Sequence, residues 1–184
     1  MNELLEGFRH ITDLNGYDHM LYLTAMSAPF FLKDWKKVFL LATAFTIGHS
    51  LTLALAAFGV IRFSSDLIEL LIPVTIVITA ASNLAFMSKT RMGFKYAVNA
   101  FFGLIHGMGF SSYFRMMFGD EENWITKLLM FNLGVELGQL LIVSMFLILA
   151  ALITFALKVN EKRWTLVVST IAMIIAGWLI YNKL

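Results

Sequence analysis

The sequence predicts an all-α fold, a polytopic membrane bundle of about six helices, and three observations carry that expectation. Of its 184 residues, 59% are hydrophobic and only 14% are charged, a composition too apolar for a water-soluble domain. Charged residues divide the chain into apolar stretches of about 20 residues, the length that crosses a hydrocarbon core about 30 Å thick. The few polar residues inside those stretches include all four histidines, and such groups at bilayer depth mark a functional site by default. Residues 1–184 therefore read as one integral membrane domain. A net charge of +2 without a clustered basic face leaves no footprint for nucleic acid. The absence of cysteine excludes disulfides, thiolate nucleophiles and thiolate metal sites together.

The expected spans are residues 8–31, 38–61, 67–88, 94–114, 124–157 and 164–181. In the first, Asn15 and Gly16 interrupt the pattern just before Asp18 and His19. Consecutive helical residues point about 100° apart, so a break or re-entrant turn there would let Asp18 and His19 serve one ligand. The second span carries Thr43, Thr46, His49 and Ser50 on one stripe. The third contains Pro73, which predicts a kink, and a stripe of Thr75, Thr79, Ser82 and Asn83. The fourth aligns Asn99, Gly103 and His106, and the fifth aligns Asn132, Glu136 and Gln139. The fifth is too long for one upright crossing and is expected to tilt or to begin in the interface. Basic residues gather after the first, third and fifth spans, as Lys33, Lys36 and Lys37, then Lys89, Arg91 and Lys95, then Lys158, Lys162 and Arg163. The positive-inside rule puts those loops in the cytoplasm and both termini outside.

Depth brings the polar groups together. At about 1.5 Å per residue from the nearest charged boundary, Asp18 and Glu136 lie about 14 Å from the outer face, and His49 and His106 about 18 and 17 Å from the inner one. One shared midplane site is the economical expectation. Its candidate metal ligands are His10, Asp18, His19, His49, His106 and Glu136, with Thr46, Ser50, Asn83, Asn99, Asn132 and Gln139 as supporting polar neighbours. Alternatives stay open for several of these, and His49 or His106 taken alone could serve only as a hydrogen bond to a neighbouring helix. His10 is either an entrance ligand or a solvated histidine, His19 either ligates or pairs with Asp18, and Glu136 either ligates or bonds Asn132 or Gln139. The pentapeptides GLIHG and GVELG are GxxxG patterns that let helix backbones approach closely, and each brackets one ionisable residue. Imidazole and carboxylate donors without thiolates suit nickel, cobalt, zinc or ferrous iron. The eleven methionines are too scattered for a copper ladder and read as packing.

Four ordered motifs, HxxxxxxxDH, FTIGHSLTLALA, HGMGF and FNLGVELGQL, resemble the HupE/UreJ family of small bacterial membrane proteins. Members are described as nickel or cobalt permeases that accompany hydrogenase and urease. The resemblance implies passage of a divalent metal ion through a multi-pass protein of the bacterial inner membrane. It makes His10, Asp18 and His19 the first motif, His49 the second, His106 the third and Glu136 the fourth. The expected partners are the lipid bilayer and the metal ion, with a homo-oligomer left open. The competing reading is an intramembrane zinc-dependent hydrolase acting on a lipid or lipid-linked substrate. Three protein ligands with an open position can lower a bound water's pKa to about 7, and Glu136 or Asp18 would then act as general base. A third reading is an accessory subunit whose polar core only fixes helix packing.

Overall fold

The computed structural model describes residues 3–57, 64–86, 91–118 and 123–183. The described residues form seven helices and no strands: α1 Glu3–Thr12, α2 Tyr17–Ser27, α3 Trp35–Ala57, α4 Ser65–Phe86, α5 Met92–Phe118, α6 Trp124–Ala156 and α7 Glu161–Tyr181. The expected all-α class holds. Lys89 and the span ends at 58–61 and 87–88 lie outside the described residues.

Among the described residues, four stretches are long and apolar enough to cross a membrane: Leu32–Ala56, Ser65–Ala85, Trp124–Ala156 and Glu161–Tyr181. The other two expected spans do not meet that standard, for different reasons. The 8–31 stretch is divided between the end of α1, a helix of 10 residues that starts at Glu3, and α2, of 11 residues. By contrast α5 has 27 residues, and it is Asn99, His106, Ser111, Ser112 and Arg115 that interrupt its apolar character.

The break between α1 and α2 follows from local chemistry. Asn-Gly is a turn-forming pair, and Leu14–Gly16 forms a single 3-10 turn in which Gly16 N donates to the Asp13 carbonyl at 3.2 Å. The Thr12 hydroxyl donates to the Phe8 carbonyl at 2.9 Å in the last turn of α1. Pro73 does not end its helix, since α4 runs through it. Asn160 caps α7, its side chain accepting from Arg163 N at 2.8 Å.

Glycines set the closest helix pairs. A Cβ on Gly48 would strike the Ala100 carbonyl, and one on Gly103 would strike the Phe45 carbonyl, so α3 and α5 touch backbone to backbone. Successive contacts advance together along both chains, from Gly103 against Phe45 to Gly107 against His49, so the two helices run parallel. In the same way α1 runs parallel to α6: Gly7 faces Phe131, Gly134 faces Leu4, and Gly138 faces Phe8 and Ile11. Asn83 ties α4 to its neighbours, its amide donating to the Ala25 carbonyl at 2.7 Å and to Ser169 Oγ at 3.2 Å. The buried core runs through Tyr22, Phe45, Phe114 and Phe131. Large apolar side chains remain exposed on the outside, among them Ile47, Leu129, Met145, Leu152 and Phe155. Such an uninterrupted apolar exterior is suited to lipid, not to water.

Candidate metal site

The break in the first segment assembles the site. His10 and His19 would stand about 13.5 Å apart along an unbroken helix, yet their ring centroids are 4.8 Å apart. His49, on α3, brings its ring to 5.7 Å from His10 and 6.1 Å from His19. His106, on α5, stands 5.0 Å from His19. All four histidines therefore share one locus. His49 and His106 are completely buried and His19 is nearly so, whereas His10 also lines a cleft of about 650 Å³.

Hydrogen bonds sort the ring nitrogens into occupied and free. Asp18 Oδ1 accepts from His19 Nδ1 at 2.9 Å and from the His19 backbone N–H at 2.7 Å. That fixes the tautomer and turns His19 Nε2, which has no partner, into a lone-pair donor. A carboxylate behind an imidazole is the usual way to orient a metal-ligating histidine. Thr75 does the same for His106 with a hydroxyl. Its proton goes to the Ile72 carbonyl at 2.7 Å, so its oxygen accepts from His106 Nε2 at 2.9 Å and leaves Nδ1 free. His49 has no partner on either ring nitrogen, and His10 Nε2 is likewise buried and unpartnered.

Four neighbouring imidazoles with free nitrogens carry an energetic cost, because a buried polar atom without a partner costs about 1–3 kcal/mol. A soft or borderline divalent cation is what such a set accepts. Ligand atoms of His10, His19 and His49 all lie within 4.8 Å of one another. Two nitrogens on one tetrahedral ion at about 2.1 Å are about 3.4 Å apart, so binding would draw the triad inward.

The remaining expected residues are placed as follows. Asp18 stands behind His19 and is hydrogen-bonded to its ring. Glu136, like His106, lies outside the triad of converging ligand atoms. Its Oε1 accepts from the Thr43 hydroxyl at 2.6 Å while Oε2 stays buried without a partner. Gln139 accepts from Thr46 at 2.9 Å, so both pairs pin α6 to α3. The amides of Asn132 and Asn99 donate within their own helices, to the Leu128 and Lys95 carbonyls. Ser50 donates to the Thr46 carbonyl at 2.6 Å, also within its helix. Asn83 belongs to the contact among α2, α4 and α7.

Two residues that hydropathy and spacing did not single out as site members touch the cluster. Thr75 had a signal, since it belongs to the polar stripe of the third span. Tyr22 had one too: it lies three residues after His19 and so on the same face of α2. Its ring centroid is 4.9 Å from that of His106, and its hydroxyl donates to Asn99 Oδ1 at 2.7 Å.

No curated protein and no solved structure matches this chain. A family model described as HupE / UreJ protein matches residues 1–182, essentially the whole sequence. With the ordered motifs, the helices suited to a bilayer and the histidine cluster in place, the chain belongs to the HupE/UreJ family of membrane proteins.

Proposed function

We propose that this protein is a permease for a divalent transition metal ion, with nickel or cobalt favoured by the family and zinc or iron compatible with the donors. The single observation that carries the reading is the convergence of four imidazoles, three of them buried, each with an unpartnered ring nitrogen. Ions enter from the outer cleft at His10 and bind among His10, His19 and His49, with His106 Nδ1 completing the set. Asp18 and Thr75 hold two of the rings in the required tautomer. Glu136, bonded to Thr43, acts as a pin between α6 and α3 in this reading. Both termini lie outside, and the ion leaves toward the basic loops. The membrane potential supplies about 2.3 kcal/mol per charge per 100 mV. The hydrolase reading has no observation of its own.

Purified protein in liposomes that enclose a metal-sensitive dye tests this. Uptake of nickel or cobalt is expected for the native chain and lost in His49→Ala and His19→Ala. Liposomes that admit none of nickel, cobalt, zinc or iron faster than protein-free vesicles would overturn the proposal.

A further inference from the structure

Two cavities flank the imidazole cluster. The outer cleft is lined by Arg9, His10, Thr12, Phe110 and Tyr113, among others. A second cavity, of about 380 Å³, lies among α2, α3, α4 and α5, where Met26, Leu41, Thr79, Asn99 and Phe102 line it and Lys95 marks the basic end of the bundle. Neither is lined by Tyr22 or Phe45.

Three helices place an aromatic ring between the two. Along α2 the order is His19, Tyr22, Met26; along α3 it is His49, Phe45, Leu41; along α5 it is His106, Phe102, Asn99. Steps of three or four residues stay on one helical face. Each helix therefore presents an imidazole, then an aromatic ring, then a wall of the inner cavity. The rings close on one another: Tyr22 is 4.9 Å from Phe45 and 6.1 Å from Phe102 between centroids. Tyr22 and Phe45 also pack on His106, at 4.9 and 5.0 Å. Tyr22 is 0% and Phe45 1% exposed. The Tyr22 hydroxyl donates to Asn99, whose own amide is anchored on the Lys95 carbonyl at 2.7 Å.

We infer that Tyr22, Phe45 and Phe102 form a plug, latched by the Tyr22 to Asn99 hydrogen bond, that separates the imidazole site from the inner cavity. The inference rests on the transport reading above. An apolar constriction stops a divalent cation by denying it water, so the rings must part before the ion reaches Asn99 and Thr79. In the conformation described here the cluster reaches the outer cleft through His10 and is closed to the inner cavity.

The chain has no cysteine, so single introduced thiols report access from each side. Thr12→Cys and Ser82→Cys define the two faces by reaction with a membrane-impermeant methanethiosulfonate, each expected from one side only. His49→Cys, at the cluster, is expected to react only from the Thr12 side. Adding Tyr22→Phe, which keeps the ring and removes the latch, should raise its reaction from the Ser82 side about fivefold, the factor for one lost hydrogen bond. Phe102→Ala should raise it further, and Tyr22→Phe alone should speed nickel flux while leaving nickel binding in detergent unchanged. Reaction of His49→Cys from both sides in the otherwise native chain would overturn the plug. So would reaction from the Thr12 side only in both variants. A native protein that moves no metal would defeat the transport reading, and the thiol pattern would still decide the plug.

Discussion

Two glycine seams hold this bundle, and they treat their bracketed ionisable residue in opposite ways. GLIHG lies on α5 and packs against α3, with Gly103 at the Phe45 carbonyl and Gly107 at His49. GVELG lies on α6 and packs against α1, with Gly134 at the Leu4 carbonyl and Gly138 so close that an added Cβ would lie 3.2 Å from the Phe8 oxygen. In both, backbone meets backbone. The difference is phase. At about 100° per residue, His106 sits about 60° from Gly103 and stays beside its seam, whereas Glu136 sits about 160° from both of its glycines. The glutamate is thrown to the far face of α6, where Thr43 receives it. A close-packing motif thus locates a seam, and the position inside the motif decides whether a side chain joins the site beside it.

The largest effects test the seams themselves. Gly103→Val and Gly134→Val each drive a side chain into a carbonyl, and each should cost about 3 kcal/mol or more in thermal unfolding in detergent. Native stability in either would mean that its seam is not closed as described. Next comes the contrast between bracketed residues. His49→Ala should weaken nickel or zinc binding, read by titration calorimetry, by more than the about 10–100-fold expected for losing an orienting partner, and Asp18→Asn should fall within that range. Glu136→Gln should leave affinity unchanged; a loss equal to that of His49→Ala would break the comparison. Smaller again, Thr43→Val should lower stability by about 1–3 kcal/mol with metal binding retained.

The smallest effect lies at the basic face, where Lys33 donates to Glu161 at 2.6 Å on the exposed surface. The hydrogen bond and charge of Glu161 hold the Lys33 ammonium above its usual value. That contribution is complete below the ordinary lysine range and is lost only as pH rises through the raised value, so no pH dependence from this pair is expected near neutrality. Lys33→Ala should leave the melting temperature unmoved.

Much of this was legible in the chain. Composition announced the bundle, and Asn15 and Gly16 announced the break in the first segment. Equal depth put His49 and His106 at one level, and the ring of each approaches His19, at 6.1 and 5.0 Å. Depth arithmetic set Glu136 level with the histidines, but rise along an axis says nothing about rotation around it, and one of its oxygens accepts from Thr43. It also undervalued His10, whose approach to His19 depends on the break at the 3-10 turn, not on distance along a helix. For Asp18 and His19 the sequence left open joint ligation and mutual pairing; the hydrogen bond between them makes one the support of the other. Tyr22 was hidden because a tyrosine in an apolar run reads as packing, and only the fold brings Asn99, 77 residues away, to its hydroxyl.

Splitting the first segment also changes the electric field inside the protein. A continuous helix would pass the cluster with its peptide dipoles cancelling end to end, but α1 stops there, at Thr12. Its terminus carries a partial charge equivalent to about −0.5, which attracts a cation. The opposite pole, at the start of α2, meets the carboxylate of Asp18 in the first turn. One interrupted helix thus contributes electrostatic attraction without adding another acidic residue.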